Sequence, residues 1–250
     1  MISVALATYN GLAFLPQQVD SILSQLAADD ELVVSDDVST DGTFAWLSAR
    51  AAGEPRLRLF QNPGPAGVVA NFNQALTQCR GEIIFLADQD DLWLPGKVAT
   101  IRQVFAENRA VLLVQSDACL IDAEGNLLAP SFYALRRSGP GFWRNFWRNT
   151  YQGCSLAARR DLLALALPLP SSLPMHDMWL GLLAELAGQV RFIPDKLTCW
   201  RRHTENSSSL APSSPGQVLI WRVALGAALL GRLCSRRTVL RKLRRQSHAS

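Results

Sequence analysis

From Met1 to about Val114, short β-rich runs alternate with stretches of helical period, and this alternation restricts the fold more than any other feature of the chain. The strand candidates are residues 2–7, 31–35, 56–60, 82–86 and 111–115. Between them, Leu15, Val19, Ile22, Leu23 and Leu26 recur at helical spacing, as do Val98, Ile101, Val104 and Phe105. Strands separated by helices predict an α/β domain with a largely parallel sheet. In such sheets ligands sit beyond the carboxyl ends of the strands, so polar residues there matter most. Three ends qualify: Thr8-Tyr9-Asn10-Gly11 after strand one, Asp36-Asp37-Val38-Ser39-Thr40-Asp41-Gly42 after strand two, and Asp88-Gln89-Asp90-Asp91 after strand four. A parallel sheet brings all three to one edge.

The third of these ends is electrostatically costly without a cation. Asp88, Asp90 and Asp91 crowd three carboxylates into four residues directly after the apolar run 83–87. Like charges at this spacing raise one another's pKa, and a divalent metal reverses that penalty. Hard oxygen ligands suit Mg²⁺ or Mn²⁺, which commonly completes its shell with phosphate oxygens. Asp88 and Asp90, two apart in an extended loop, can aim at one point. Asp91 reads as a cap for a helix starting near Leu94-Pro95 or as a residue supporting the two metal ligands from behind.

Asp37, at the end of strand two, can accept hydrogen bonds from a ribose hydroxyl or a base imide. Its other reading is a helix N-cap, a role Ser39 or Asp41 already fills. The chain has neither a Gly-x-Gly-x-x-Gly nor a P-loop sequence, so a nucleotide would be held in another way.

After Asn126 the alternation breaks down. Residues 131–151 read as a loop rich in Phe, Trp and Arg, with its Trp-Arg pairs partly exposed. Residues 153–157 read as a strand, a helix starts near His176, and residues 191–193 and 197–200 read as two short strands. Asp177 at the helix start is either a cap or a general base facing an alcohol. Arg201-Arg202-His203 is either a basic surface turn or a clamp for a diphosphate, with His203 able to give a metal a nitrogen ligand.

The organisation expected is a main domain at 1–205, with parts at about 1–117 and 118–205, then a flexible linker at 206–216 and a helix with a basic tail at 217–250. Only nine residues separate Arg222 from Arg232, too few for a membrane span of about twenty apolar residues. Arg222 and Leu229 project in nearly the same direction, so the helix is not cleanly amphipathic either. It either docks on the body or lies at a membrane surface. The acid-free tail suits an anionic partner, a membrane leaflet or nucleic acid, and a solvated basic end is the plain alternative.

Hydrophobic residues at 48% and charged ones at 18% are ordinary for a soluble globular chain, which excludes disorder as the default. Five scattered cysteines with no Cys-x-x-Cys predict neither a disulfide framework nor a zinc site and fit a reducing cytoplasm. The N-terminus runs straight into strand-like sequence without a secretory pattern, so secretion is not expected.

Taken in order, Val4-Ala5-Leu6-Ala7-Thr8-Tyr9-Asn10-Gly11, Gln18-Val19-Asp20-Ser21-Ile22-Leu23-Ser24-Gln25, Ser35-Asp36-Asp37, Asn71-Phe72-Asn73, Asp88-Gln89-Asp90-Asp91-Leu92-Trp93, Gln152-Gly153-Cys154, His176-Asp177-Met178-Trp179 and Trp200-Arg201-Arg202-His203 resemble a family 2 glycosyltransferase of the GT-A fold. Within that family they resemble bacterial rhamnosyltransferase-type enzymes of surface polysaccharide assembly. The resemblance implies that Thr8, Tyr9, Asn10 and Asp37 contact the nucleotide of a dTDP- or UDP-sugar, and that Asp88 and Asp90 hold Mg²⁺ or Mn²⁺ on its diphosphate. It also implies that Asp177 is the catalytic base and that the segment Arg201-Arg202-His203 closes on the diphosphate. The acceptor would be a saccharide or lipid-linked saccharide at the inner face of the cytoplasmic membrane, which makes nucleic acid the weaker partner. An inactive GT-A scaffold and a nucleotidyltransferase are the rival readings. The family usually has a small residue where Val38 stands. A β-branched side chain resists positive φ, so a reshaped loop is expected there. Ser207-Ser208-Ser209 replaces the family's small-residue pattern after His203.

Overall fold

The computed structural model describes residues 1–173, 175–204 and 215–248. Residues 206–214 of the expected linker, with Ser207-Ser208-Ser209, lie outside the described residues, whereas its last two, Pro215 and Gly216, already open a helix. Strands β1 (Ile2–Thr8), β2 (Glu31–Asp36), β3 (Leu57–Gln61) and β4 (Ile83–Asp88) run parallel in the order β3-β2-β1-β4. Alternate side chains of β1 enter opposite cores. Val4 and Leu6 pack with helices α1 (Leu15–Leu23) and α4 (Lys97–Glu107), whereas Ala5 joins the core that holds α3 (Val68–Gln78). Burial on both faces explains why these strands are apolar almost throughout. Helix α2 (Thr43–Gly53) links β2 to β3.

Beyond β4 the sheet departs from the parallel pattern. The short β8 (Leu156–Arg159) inserts antiparallel between β4 and β6 (Val111–Ile121), and β9 (Gln189–Arg201) lies parallel to β6 on its other side. Strand β5 (Leu92–Trp93) pairs with β9, and β7 (Leu127–Ala129) folds back on β6.

The single strand β9 replaces the two short strands expected. In the register against β6, Ser116 pairs with Ile193 and Asp117 with Lys196, so Pro194 and Asp195 bulge out of one continuous strand. Proline has no N–H for the ladder, which made the sequence look interrupted. Cys119 and Cys199, which looked unrelated in sequence, face each other across β6 and β9 with their sulfurs 2.6 Å apart.

Residues 131–151 are not all loop. They contain α5 (Phe132–Arg136) and α6 (Phe142–Trp147), and Trp143 and Trp147 are exposed as expected. Helices α7 (Arg160–Ala166) and α8 (His176–Ala187) build the core on the α3 side of the sheet. Helix α9 (Pro215–Ser235) and α10 (Arg237–His248) dock there through Leu225, Leu229 and Leu243, so the basic tail is helical.

Candidate functional site

The parallel register aligns Thr8 with Asp36 and Ala7 with Asp88, so the three polar strand ends share one edge. They open into a cavity of about 690 Å³, whose walls include Thr8, Tyr9, Asp37, Asp88, Asp90 and Asp177.

Around this edge, several predicted ligand residues are spent on the loops themselves. Thr8 is buried and donates its hydroxyl to Asp36 Oδ1 at 3.0 Å. Asn10 takes φ 47 and accepts from the Thr40 amide at 2.8 Å, which ties the first loop to the second. Asn10 is not part of the cavity wall, and its side chain serves the loop. Its short amide side chain tolerates the left-handed conformation and satisfies a backbone donor, which accounts for an Asn there. Tyr9 stands exposed at the mouth, with its backbone clamped by Gln89 through a 2.7 Å bond from its N–H and a 2.8 Å bond to its carbonyl. Gly11 is required beside that clamp, since a Cβ would come within 2.2 Å of the Gln89 side chain.

The expected reshaping of the second loop does not occur. Val38 adopts φ 59 with its side chain turned outward. Asp36 holds the turn by accepting from the Ser39 amide at 2.9 Å and the Ser39 hydroxyl at 2.6 Å. These bonds offset the cost of about 1–2 kcal/mol that a left-handed β-carbon carries. Asp37 accepts from Gly67 N and from Asn62 Nδ2, each at 2.7 Å, which aims it along the cavity wall.

The acidic loop is more buried than a helix cap would be. Helix α4 starts only after Gly96, at φ 86, so Asp91 does not cap it. Instead Asp91 Oδ1 accepts from the Arg201 amide at 2.9 Å, while Oδ2 is buried without a hydrogen-bond partner. Ligand atoms of Asp88, Asp91 and Cys154 lie within 4.8 Å of one another. Burial first, then the charges of Asp90 and Asp177, pushes Asp88 up to about 7. Burial and the neighbouring Asp90 and Asp88 push Asp91 well above the carboxylate range. Burial likewise keeps the Cys154 thiol protonated, so the ligands on offer are carboxylate oxygens rather than sulfur. Crowded carboxylates with an orphaned oxygen fit a hard divalent cation.

On the far side of this loop, Lys97 is fully buried. It donates to the Cys154 carbonyl and the Thr198 hydroxyl, each at 2.7 Å, and sits 4.3 Å over the Trp93 ring. Burial brings its pKa down to about 8. A lysine heading the buried stripe of Val98, Ile101 and Phe105 was the only sequence signal for it.

Arg201 is not part of an exposed surface turn, one of its two expected readings. Its buried guanidinium donates to the carbonyls of Asp90 at 2.8 Å and Ala123 at 2.9 Å and to Gln17 Oε1 at 2.8 Å. These bonds fix the acidic loop against β9. His203 Nε2 is 2.9 Å from Asp90 Oδ2, beside the acidic loop.

Asp177 enters the cavity from the first turn of α8. Burial pushes it up to about 6, against the Met178 amide and the Asn149 side chain, which donates at 3.3 Å. Its neighbour His176 stacks on Phe72 at 4.0 Å, and burial lowers it to about 4, so it stays neutral. Asn149, Arg136 and Tyr151 also line the cavity and were not identified from sequence, because none sits at the end of an expected strand; Gln89 and Trp200, which do, line it too but were given no role.

Residues 3–164 match the model for glycosyl transferase family 2. Over 130 residues the chain is 35% identical to the GalNAc(5)-diNAcBac-PP-undecaprenol beta-1,3-glucosyltransferase of Campylobacter jejuni, covering 50% of this chain and 40% of that protein. It is 30% identical over 132 residues to the chondroitin synthase of Escherichia coli, covering 53% of this chain and 19% of that protein. The chain therefore spans less than half the length of these relatives. Among solved structures, S. aureus TarS 1-349 in complex with UDP-GlcNAc superposes with a TM-score of 0.67 at 19% identity, covering 94% of this chain and 73% of that one. The mannosyltransferase PcManGT from Pyrobaculum calidifontis, in complex with GDP-Man and Mn²⁺, gives a TM-score of 0.64 at 20% identity, covering 94% and 75%. The fold is thus the GT-A arrangement, a mixed α/β sheet with flanking helices and a C-terminal helical extension. With the family model spanning most of the sheet and both acidic strand ends, the chain belongs to glycosyl transferase family 2.

Proposed function

We propose that this chain is a metal-dependent, inverting glycosyltransferase. It moves a sugar from a nucleoside-diphosphate donor to a hydroxyl of a saccharide or lipid-linked saccharide, in bacterial surface polysaccharide synthesis at the inner face of the cytoplasmic membrane. The observation that carries this reading is the meeting of Asp37, the Asp88/Asp90 pair and Asp177 in one cavity, contributed by β2, β4 and α8. The structures of TarS with UDP-GlcNAc and PcManGT with GDP-Man and Mn²⁺ support a nucleotide-sugar donor. A dTDP- or UDP-sugar is the donor class proposed, with L-rhamnose as the first sugar to test.

Within this reading, residues 1–117 bind the nucleotide and residues 118–205 the acceptor. Tyr9 and Asp37 lie where a nucleoside would rest, at the strand ends. Asp88 and Asp90, with His203 beside them, would hold Mg²⁺ or Mn²⁺, which when bound supplies positive charge for the diphosphate. Asp177 Oδ takes the proton from the acceptor hydroxyl as that oxygen attacks the anomeric carbon and the bond to the diphosphate breaks. Asn149 orients the carboxylate, and the charge of Arg136 favours its ionised form. Buried His176 and Phe72 help to exclude water from this end of the cavity.

A screen of nucleotide sugars by melting temperature, with and without Mn²⁺, tests the assignment and names the donor. A metal-dependent rise with one donor is expected, and Asp90→Ala should abolish it. The absence of a rise with every donor would reject the site.

A further inference from the structure

Helix α9 is inside out for a helix on a soluble protein. Its arginines face the body: Arg222 donates to the Trp147 carbonyl at 3.2 Å, and Arg232 donates to the carbonyls of Leu165 and Pro168. Leu225 and Leu229 are buried beside them, which is why Arg222 and Leu229 project together. Its outward face carries Leu219, Ile220, Val223, Ala227 and Leu230, all exposed and without a charge among them. The segment Gly216–Ser235 has a mean hydropathy of 1.6, with only 11% of its most apolar window buried. By length and composition it could cross a membrane, but its charged and buried inner face is already engaged along α7 and α8. An uncharged stripe running about 17 Å along a surface helix needs a cover.

The charge around the stripe identifies that cover. Residues 215–248 hold eight arginines and lysines and no acid. On α10, exposed Arg241, Lys242 and Arg245 line a shallow depression with Thr238 and Gln246, while Leu243 is buried on the body. At the other flank, Trp143 and Trp147 of α6 are 69% and 58% exposed beside exposed Arg144 and Arg148, the pairing of aromatic and cation found at membrane interfaces. A second copy docked through this face would bring no acid to pair with these cations, because residues 215–248 hold none. An anionic bilayer instead matches both the apolar stripe and its cationic border.

We infer that α9 lies flat in the headgroup region of an anionic phospholipid bilayer, with its outward stripe buried among acyl chains and α10 and α6 bordering it. The helix neither spans the membrane nor acts as a basic tail alone. Given the transferase reading above, this orientation also sets the cavity near the membrane. Arg222 contacts Met178, one residue from Asp177, so the acceptor end of the cavity adjoins the docked helix.

The test uses the full chain and vesicles of phosphatidylcholine with or without about one third phosphatidylglycerol. No nucleotide is present, so a failed donor assignment leaves the result unaffected. Cosedimentation should show binding to the anionic vesicles, weakened by salt and much weaker with phosphatidylcholine alone. The double variant Ile220→Asp/Leu230→Asp should lose at least about ten-fold in vesicle affinity, with an unchanged melting temperature. Arg241→Gln should lose about five-fold. Brominated lipids should quench the wild type more than Trp143→Phe/Trp147→Phe. Equal vesicle binding by the aspartate variant would overturn the proposal. So would a concentration-dependent dimer that this variant dissolves, since the cover would then be a second copy.

Discussion

Two regions of this protein place charge where a soluble protein ordinarily does not, and they do so in opposite senses. At the strand ends, half-buried Asp88 and buried Asp91 face like charge, and one Asp91 oxygen has no hydrogen-bond partner. On α9 the arginines turn inward to carbonyls and the apolar side chains turn outward. In each region the folded chain is incomplete by itself. The first fits a cation and the second an anionic surface. The difference lies in how each is held: the acidic loop is fixed from within by Arg201 and Lys97, whereas the α9 stripe stays exposed among the described residues.

The largest expected effect concerns the one acid in the cavity that both regions approach. Asp177→Asn should lower turnover by about 10²–10⁴-fold while the donor still binds, measured as kcat alongside donor Kd. In the wild type, kcat should rise with pH through about 6 and level above it, because the base acts in its ionised form and burial has raised its pKa to about 6. A flat profile between pH 5 and 8, or full activity in the Asn variant, would remove the base and leave the donor site standing.

Next comes the cost of buried carboxylate. Asp88 is held up to about 7, above its unfolded value, so the folded state binds the extra proton between those two values. Stability without metal therefore falls as pH rises through that window, and the loss is complete above about pH 7. Asp88→Asn should remove that fall and raise the melting temperature by several degrees at pH 8 in chelator, while losing the response to Mn²⁺. A lowered melting temperature in chelator would break the comparison, because the acids would then be structural.

The two faces of α9 sharpen it further. Leu225→Ala on the inner face should cost about 2–5 kcal/mol in denaturant unfolding. Leu230→Ser on the outer face should change the free protein by less than about 0.5 kcal/mol.

Much of the sheet and the acidic clusters was legible in the chain because each depends on local pattern. The runs at 2–7, 31–35 and 82–86 are apolar on both faces, and the residues that follow them are polar. Strand β8 was legible only in part: a strand was expected at 153–157, but Gly153–Ser155 forms a 3-10 turn and the strand runs Leu156–Arg159, its place between β4 and β6 set by pairing with residues far away in sequence. The same limit governs the site. Asp37, Asp88, Asp90 and Asp177 could be named because an acid at an element's end is a local signal. The loop-bracing bonds of Asn10, Asp91 and Arg201 were not legible, because their partners, Thr40, Arg201 and the Ala123 carbonyl, come from other elements.

The sequence by itself determined the α/β alternation, the edge at which polar strand ends gather and the family to which those motifs belong. Which carboxylates are crowded, which basic groups only brace the loop and which way α9 faces were decided by the tertiary structure alone. Periodicity records which residues share a face of an element, but the direction that face takes depends on what the rest of the chain packs against it.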